Sequence, residues 1–373
     1  MTLKKIQFSN VRNLQSVKMD GLEKANVFYG QNGSGKTSIL EAIHILGMSR
    51  SFRGSSIKSL ISHQVDSCTV HGLAASSTND SAPIALGVYR DRSGASKIKV
   101  AGKLAHSVAE LLEHLPLQLI NTDSFDLLTG TPSARRNFLN WGVFHVEHRF
   151  YPEWQRFQRG IKQRNKLLRR GNISVDEISA WTRDLAASGT VIHSFRSAYL
   201  ERLAPGFQFI MSRLMPELAE GLEVRYRRGW DRSMSYQEAL AASSTVDLDQ
   251  GYTHVGPQRA DLKLFSDGHS AAETLSRGQQ KLLVCGLKLA QGMLLADSGG
   301  KRCTFLVDDL PSELDEVHSR RVCELLASMD AQVFITTVEK KDISRVWPCG
   351  ESIKMFHVEH GSVNPDTPVS ANG

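Results

Sequence analysis

The chain has 373 residues, 41% hydrophobic and 23% charged, a balance that excludes a disordered polymer and leaves length for more than one average domain. Lys and Arg outnumber Asp and Glu by 45 to 39, a formal net charge of +6 that is compatible with a polyanionic partner without requiring one. The five cysteines are scattered without a C-x-x-C pair and are expected as reduced, buried thiols. The opening residues lack the apolar stretch of a secretion signal, and no apolar run is long enough to span a bilayer, so a cytoplasmic protein with no membrane partner is expected.

Apolar residues alternate with polar ones through Ile6 and Phe8, then Val17 and Met19, and the short apolar run Val27-Phe28-Tyr29 follows, which together predict sheet. After a glycine-rich loop, Ile39, Leu40, Ile43 and Leu46 recur at helical spacing, with Gly47 expected to stop the helix. Thr69 to Leu73, Ile84 to Arg90 and Lys97 to Val100 alternate between turn-forming clusters and predict an antiparallel meander. From Ser133 to Leu222 the pattern is helical. Within it Ile178, Trp181, Leu185, Ser188, Ile192, Phe195 and Tyr199 keep a heptad spacing. Trp154, Phe157, Ile161 and Leu168 repeat that spacing, and Gly171-Asn172 offers the turn of a short antiparallel arm. Beyond residue 245, strands at Leu262 to Phe265, Thr304 to Val307 and Val333 to Thr336 alternate with helices after Arg277 and near His318 to Ser328, an α/β pattern.

Between the third predicted strand and the first helix, Gly30, Gln31, Asn32, Gly33, Ser34, Gly35, Lys36 and Thr37 satisfy G-x-x-x-x-G-K-[ST], and Ser38 continues into the helix. Glycines let backbone N–H groups approach phosphate oxygens, the helix N-terminus adds positive potential, Lys36 neutralises the β/γ phosphates and Thr37 offers a hydroxyl to Mg²⁺. Far downstream, Thr304-Phe-Leu-Val-Asp308-Asp309 has the form of a buried strand ending in two acids. Asp308 suits the Mg²⁺ site, and Asp309 stands where the attacking water must be oriented.

Leu275-Ser276-Arg277-Gly278-Gln279-Gln280 resembles the signature motif of ATP-binding-cassette proteins, with Arg277 in place of the usual first glycine. Alone, it could equally be an ordinary helix N-cap. Ser312-Glu313-Leu314-Asp315, following Asp309, resembles the D-loop of the same proteins, so the four motifs occur in the expected succession. The insertion between P-loop and signature is larger than transporter ATPases carry, and the arm is shorter than the coiled coils of SMC relatives.

Phe8 to Leu14, which contains Arg12, together with Thr131 to Leu139 and Val255 to Leu262, brings the chain close to the RecF family of SMC-like, ABC-type ATPases. That resemblance implies an α/β fold: an ABC-type ATPase head with a mixed sheet, from residues 1–125 and 245–373, plus an inserted mainly helical lobe, residues 126–244, bearing the short antiparallel arm. It implies ATP and Mg²⁺ as cofactors, with Arg12, Ser38, Ser276, Gly278, Gln279 and Asp315 joining the P-loop as nucleotide ligands, the signature residues coming from a second subunit. The implied activity is a slow, DNA-stimulated ATPase of recombinational repair. It would dimerise on ATP, clamp duplex DNA near single-strand gaps and junctions, and help RecR and RecO load RecA. Cassette ATPases usually carry Glu after the Walker B acid, and Asp309 is one methylene shorter, which implies sluggish turnover. Gln258 stands where the family often has His, and Thr336-Thr337 where transporters place a switch histidine. An ABC-type transporter subunit is the alternative reading.

Arg149, Arg156, Arg159, Lys162, Arg164, Lys166, Arg169 and Arg170 face one acid, Glu153, across a short stretch. They could meet DNA phosphates, line the interior of a closed dimer, or form a solvated helix face. Phe-His-Val-Glu-His occurs twice, at Phe144 to His148 and Phe356 to His360, but the H-x-x-H spacing predicts no metal site other than that for Mg²⁺.

Overall fold

The N-terminal alternation forms two antiparallel strands, Thr2–Val11 (β1) and Leu14–Asp20 (β2), whose Ile6, Phe8, Val17 and Met19 are buried on one face. Ala25–Tyr29 (β3) follows, buried on both faces as strands of parallel sheets are, then the P-loop helix Lys36–Met48. The meander is Ser67–Ala75 (β4), Ile84–Asp91 (β5), Ser96–Val100 (β6) and Lys103–Leu104 (β7), and Leu117–Ile120 (β8) comes next. After three long helices come Leu222–Arg227 (β9), Asp261–Ser266 (β10) and His269–Ser270 (β11). The chain finishes with Thr304–Val307 (β12), Gln332–Thr337 (β13), Lys354–Glu359 (β14) and Ser362–Pro365 (β15).

The computed structural model describes residues 1–366 except 55, 76–81, 171–174 and 300, and the chain divides into two units, Met1–Ser124 with Lys281–Gly373 and Phe125–Gln280. The first unit is α/β and holds two six-stranded sheets. One is antiparallel, in the order β2-β1-β4-β5-β6-β7; the other is mixed, in the order β15-β14-β3-β13-β12-β8, parallel except for the β14–β15 hairpin. The P-loop helix packs on both, with Ile39, Leu40, Ile43 and Leu46 in one core with Phe8, Val70, Leu306 and Phe334. Helix Arg277–Gly299 is apolar and long enough to cross a membrane, yet Leu282, Leu283, Val284, Leu287 and Leu289 are buried. A Cβ on its Gly292 would sit 2.4 Å from the Phe305 ring, so the helix packs as part of a protein core.

In the second unit, helices Phe150–Leu168 and Val175–Leu214 pack along each other as the expected arm. Leu185, Ser188, Ile192 and Tyr199 of the seam are buried, and Ile178, Trp181 and Phe195 are half-buried; Phe157 and Leu168 are buried opposite. The predicted turn at Gly171-Asn172 lies outside the described residues.

Three expectations are corrected. Residues 245–280 group with the inserted segment because β10 pairs antiparallel with β9, from Asp261 opposite Arg227 to Ser266 opposite Leu222; this ladder moves the expected boundary at residue 245 to Lys281. Gly47 does not stop its helix. It is buried inside it, where a Cβ would press on the Leu115 carbonyl oxygen at 3.2 Å, and the chain leaves the helix at Ser49, in left-handed conformation with φ 51°. Cys349 is exposed in the turn after helix Lys340–Val346, whereas Cys68, Cys285, Cys303 and Cys323 are buried.

Candidate functional site

Four neighbouring parallel strands end on one edge of the mixed sheet, and each delivers part of a cleft there. β3 runs into the P-loop, β12 into Asp308 and Asp309, β13 carries Thr336, and β8 leads to Thr122. Thr37 and Asp308, 271 positions apart, thus come within hydrogen-bond distance. The cleft has a volume of about 430 Å³.

Backbone conformation explains the glycines at the two ends of the loop. Gly30 has φ 152°, and a Cβ there would lie 2.2 Å from the Val358 carbonyl oxygen; Gly35 has φ 118°, and a Cβ would strike the Leu14 side chain at 2.7 Å. The Lys36 ammonium is nearly buried and donates to the carbonyls of Gly30 and Gln31 at 2.6 and 3.0 Å. Burial lowers its pKa, opposed by the negative charges of Asp309 and Asp308. Asn32, Gly33, Thr37 and Ser38 line the cleft, and Ser34 is buried beneath it.

Asp308 sits under a pair of hydroxyls. Thr336 Oγ1 donates to Asp308 Oδ1 at 2.6 Å and Thr37 Oγ1 to the same oxygen at 3.1 Å. Burial pushes the Asp308 carboxyl above its usual range, and the two threonine hydrogen bonds hold it back only in part. Asp309 has φ 53°, a left-handed conformation that Asp tolerates, and its N–H donates to Thr336 Oγ1 at 2.9 Å. The Thr37 hydroxyl and the Asp308 carboxylate therefore put two hard oxygen ligands side by side, a donor set that fits Mg²⁺.

Five cleft residues were not singled out as ligands from sequence: Asn13, Arg53, Thr122, Glu313 and Thr336. Asn13 is a brace. It accepts from Ser38 Oγ at 2.9 Å and donates to the Gly33 carbonyl at 3.3 Å. It lay within the Phe8 to Leu14 stretch, so a signal existed; Arg53 follows no motif and had none. Glu313 accepts from Lys281 Nζ at 2.6 Å and Thr122 Oγ1 at 2.7 Å. Burial pushes its pKa up, but these two contacts together outweigh it and leave the carboxyl below its usual range.

Other expected ligands are placed elsewhere. Arg12 does not line the cleft: its Nε and Nη2 hold the fully buried Glu41 carboxylate at 2.8 and 2.7 Å, and its Nη1 donates to the Ser59 carbonyl. Asp315 caps the helix Glu316–Ser328, accepting from His318 N–H at 2.9 Å and pairing with His318 Nδ1 at 2.7 Å. Ser276 and Gln279 form a reciprocal cap at the start of helix Arg277–Gly299, with Ser276 N–H donating to Gln279 Oε1 at 2.9 Å and Gln279 N–H donating to Ser276 Oγ at 3.3 Å. Ser276 and Gly278 are exposed, and a Cβ on Gly278 would meet nothing within 4 Å. Neither they nor Gln279 are among the residues lining the P-loop cleft.

The basic run divides. Arg164 is buried and ion-paired with Asp247 at 2.6 Å, so it is removed from any surface role, while Arg149 pairs with Glu147 and Arg156 with Asp184. Arg159, Lys162, Lys166, Arg169 and Arg170 are exposed. Of the two Phe-His-Val-Glu-His copies, the first closes helix Pro132–Val146 and the second ends β14, with His360 in the turn to β15.

The family description RecF/RecN/SMC N terminal domain matches residues 2–364. The DNA replication and repair protein RecF of Stutzerimonas stutzeri (strain A1501) is 46% identical over 363 residues, covering 97% of each chain. The chain belongs to the RecF family. The RecF of Azotobacter vinelandii (strain DJ / ATCC BAA-1303) is 48% identical over 97% of this chain and 98% of its own. A solved structure of the recombination mediator protein RecF-ATP of the RecFOR pathway superposes with a TM-score of 0.85 at 28% identity, covering 98% of this chain and 97% of the other. An SMC head bound to the C-winged helix domain of ScpA, at TM-score 0.58 and 14% identity over 99% and 98% of the two chains, shares the fold alone. Membership of a family of DNA replication and repair proteins across the whole length leaves the transporter reading without support.

Proposed function

We propose that this RecF-family protein is an ATP-dependent DNA-binding switch of recombinational gap repair and replication maintenance, acting in the cytoplasm with RecR and RecO to help load RecA. One observation carries the reading: a complete P-loop, Thr37 and Asp308 site in one unit, with the signature residues Ser276 and Gly278 exposed at a helix N-terminus of the other. A helix N-terminus of this kind attracts a γ-phosphate. The P-loop already cradles one end of the triphosphate, so Ser276 and Gly278 serve the site of a second copy. ATP then holds two copies together. The RecF-ATP relative of the RecFOR pathway supports the nucleotide and the pathway.

Each residue has a stated part in the reaction. The P-loop N–H groups and Lys36 bind the phosphates, Thr37 and Asp308 hold Mg²⁺, and Asp309 orients the attacking water at the strand end. Mg²⁺, when bound, neutralises charge on the β- and γ-phosphate oxygens. Asp309 is one methylene shorter than the Glu usual at this position in cassette ATPases, so turnover is slow and the closed state persists on duplex DNA beside a gap.

The deciding experiment is sedimentation with and without Mg-ATP, then with gapped duplex. We expect a monomer that becomes a dimer with ATP, and a Lys36→Met variant that stays monomeric. A protein whose mass ignores ATP would sink the reading.

A further inference from the structure

A cleft of about 710 Å³ in the second unit is separate from the P-loop and is lined by the open face of β9 and β10 and the loop after β9. Its walls carry Arg225, Arg227, Arg228, Arg232, Arg259 and Lys263. The acids among the lining residues are Asp231 and Asp261. Asp261 is already held bidentately by Arg135 at 2.7 and 3.2 Å, and Asp231 accepts from the N–H and hydroxyl of Ser233 at 2.8 and 2.6 Å. Arg225 leans on Glu223 at 2.6 Å. Among the described residues, none of the other five cations forms an ion pair, so the cleft holds a large uncompensated positive charge.

Strand register makes this arrangement costly, which is a second, independent pointer. On the exposed face Arg225 stands directly across from Lys263, a like-charge pair, and Arg227 across from the Asp261 that Arg135 has already taken. Like charges opposite one another destabilise a strand pair. A sheet face that needed only solubility would carry opposite signs there; one that receives an anion gains from the clash being relieved. Aromatic rings hold two of the guanidinium groups in place: Arg225 lies over Phe265 at 4.2 Å and Arg228 over Trp230 at 4.7 Å. Cations fixed on a rigid sheet pay less side-chain entropy on binding than cations on a mobile loop.

We propose that this β9–β10 cleft is a binding surface for the phosphate backbone of duplex DNA, and that it, more than the exposed cations of helix Phe150–Leu168, sets the affinity. The cluster is a patch of several cations on a sheet, as sequence-independent backbone binding requires, whereas an acidic peptide would be matched by fewer cations flanked by apolar grooves. This rests on the DNA-binding reading above and locates it.

The test is fluorescence anisotropy of the full-length protein with Mg-ATP and labelled duplex across a salt series. Arg227→Gln with Lys263→Gln should weaken binding on the order of tenfold per cation near 0.1 M salt and lower the salt slope by about two. Arg227→Lys with Lys263→Arg should restore both, because backbone phosphates read charge. Wild-type nucleotide-driven dimerisation and an unchanged unfolding midpoint in the Gln variant would establish that it folds. Wild-type DNA affinity and slope in that variant would overturn the proposal, all the more if Lys162→Gln with Lys166→Gln loses affinity instead. If the unaltered protein bound no duplex at all, the underlying DNA reading would fail rather than the location.

Discussion

At the scale of single residues, Asp308 serves two opposed requirements. Burial raises its carboxyl pKa, yet metal binding needs the charged form. A carboxyl whose folded-state pKa is raised favours folding fully below its ordinary value, and that stability is lost as pH rises through the folded value; at neutral pH the penalty is therefore in force. Asp308→Asn keeps an acceptor for Thr37 and Thr336 while removing the charge. We expect a higher melting temperature than wild type at pH 7, an advantage that shrinks as pH falls toward the ordinary carboxylate range, together with a loss on the order of tenfold or more in Mg²⁺-dependent nucleotide affinity. Calorimetry over a pH series reads the first and titration with Mg-ATP the second; equal melting temperatures at pH 7 would contradict the burial argument. Asp309→Asn is the complementary probe, because Asn tolerates the left-handed φ of 53° as well as Asp does. Nucleotide binding and dimerisation should survive while single-turnover hydrolysis falls about a hundredfold or more, the usual worth of a positioned acid or base. Wild-type turnover would move the role to Glu313, which also lines the cleft. Motif residues such as Lys36, Thr37 and Asp308 were legible because their spacing encodes a chemistry. Thr336 was noted only for the histidine it replaces, since nothing in a local pattern says which strand ends beside Asp308.

At the scale of elements, helix Phe150–Leu168 is fastened by charge as well as by its apolar seam. Arg164 is 2% exposed and Asp247 fully buried; their pair at 2.6 Å ties that helix to the short helix Ser244–Gln250. Thr253 Oγ1 accepts from Arg164 at 2.7 Å, and His254 N–H and Nδ1 meet the other carboxylate oxygen at 3.0 and 2.9 Å, so the carboxylate has no solvent to fall back on. Arg164→Ala strands a buried charge, and we expect a loss of about 3–5 kcal/mol in denaturant unfolding, whereas Arg159→Ala on the exposed face should change it by under about 0.5 kcal/mol. A comparable midpoint shift for both would show that the ion pair does not fasten the helix. The same pair explains a misreading. From composition Arg164 belongs to a basic stretch, and only the fold reveals the Asp247 that withdraws it. Local pattern recovered the arm, the meander and the central strands β3, β12 and β13 of the mixed sheet, because each is a heptad, an alternation or a short apolar run; it did not find β8 or β15. It missed that Asp261–Ser266 returns to Leu222–Arg227, since pairing partners far apart leave no trace in either strand's own alternation.

At the scale of the whole molecule, the proposed function depends on a second copy. All residues that line the P-loop cleft belong to the unit Met1–Ser124 with Lys281–Gly373, while the signature cap Ser276 belongs to Phe125–Gln280 and presents its hydroxyl at an exposed helix start. If one copy binds ATP through its own P-loop and binds it more tightly once a partner's signature end closes over it, ATP shifts the monomer–dimer equilibrium by mass action, and weakening the signature separates binding from association. Ser276→Arg makes that separation. The exposed position accommodates a larger side chain, and losing the reciprocal cap with Gln279 costs about 1 kcal/mol, too little to unfold the protein. The guanidinium would occupy the space at the helix N-terminus where a phosphate is needed and would oppose the favourable end of the helix dipole. We expect the variant to bind ATP with near-wild-type affinity, to remain a monomer in sedimentation at ATP concentrations that dimerise the wild type, and to lose the tight duplex binding that depends on two copies. Gly278→Ala offers a milder control: a Cβ there meets nothing within 4 Å, so the monomer should be unperturbed and only the closed state strained. A Ser276→Arg protein that dimerises normally with ATP would mean that the signature end does not meet the nucleotide, and the exposed cap would be no more than the start of a helix.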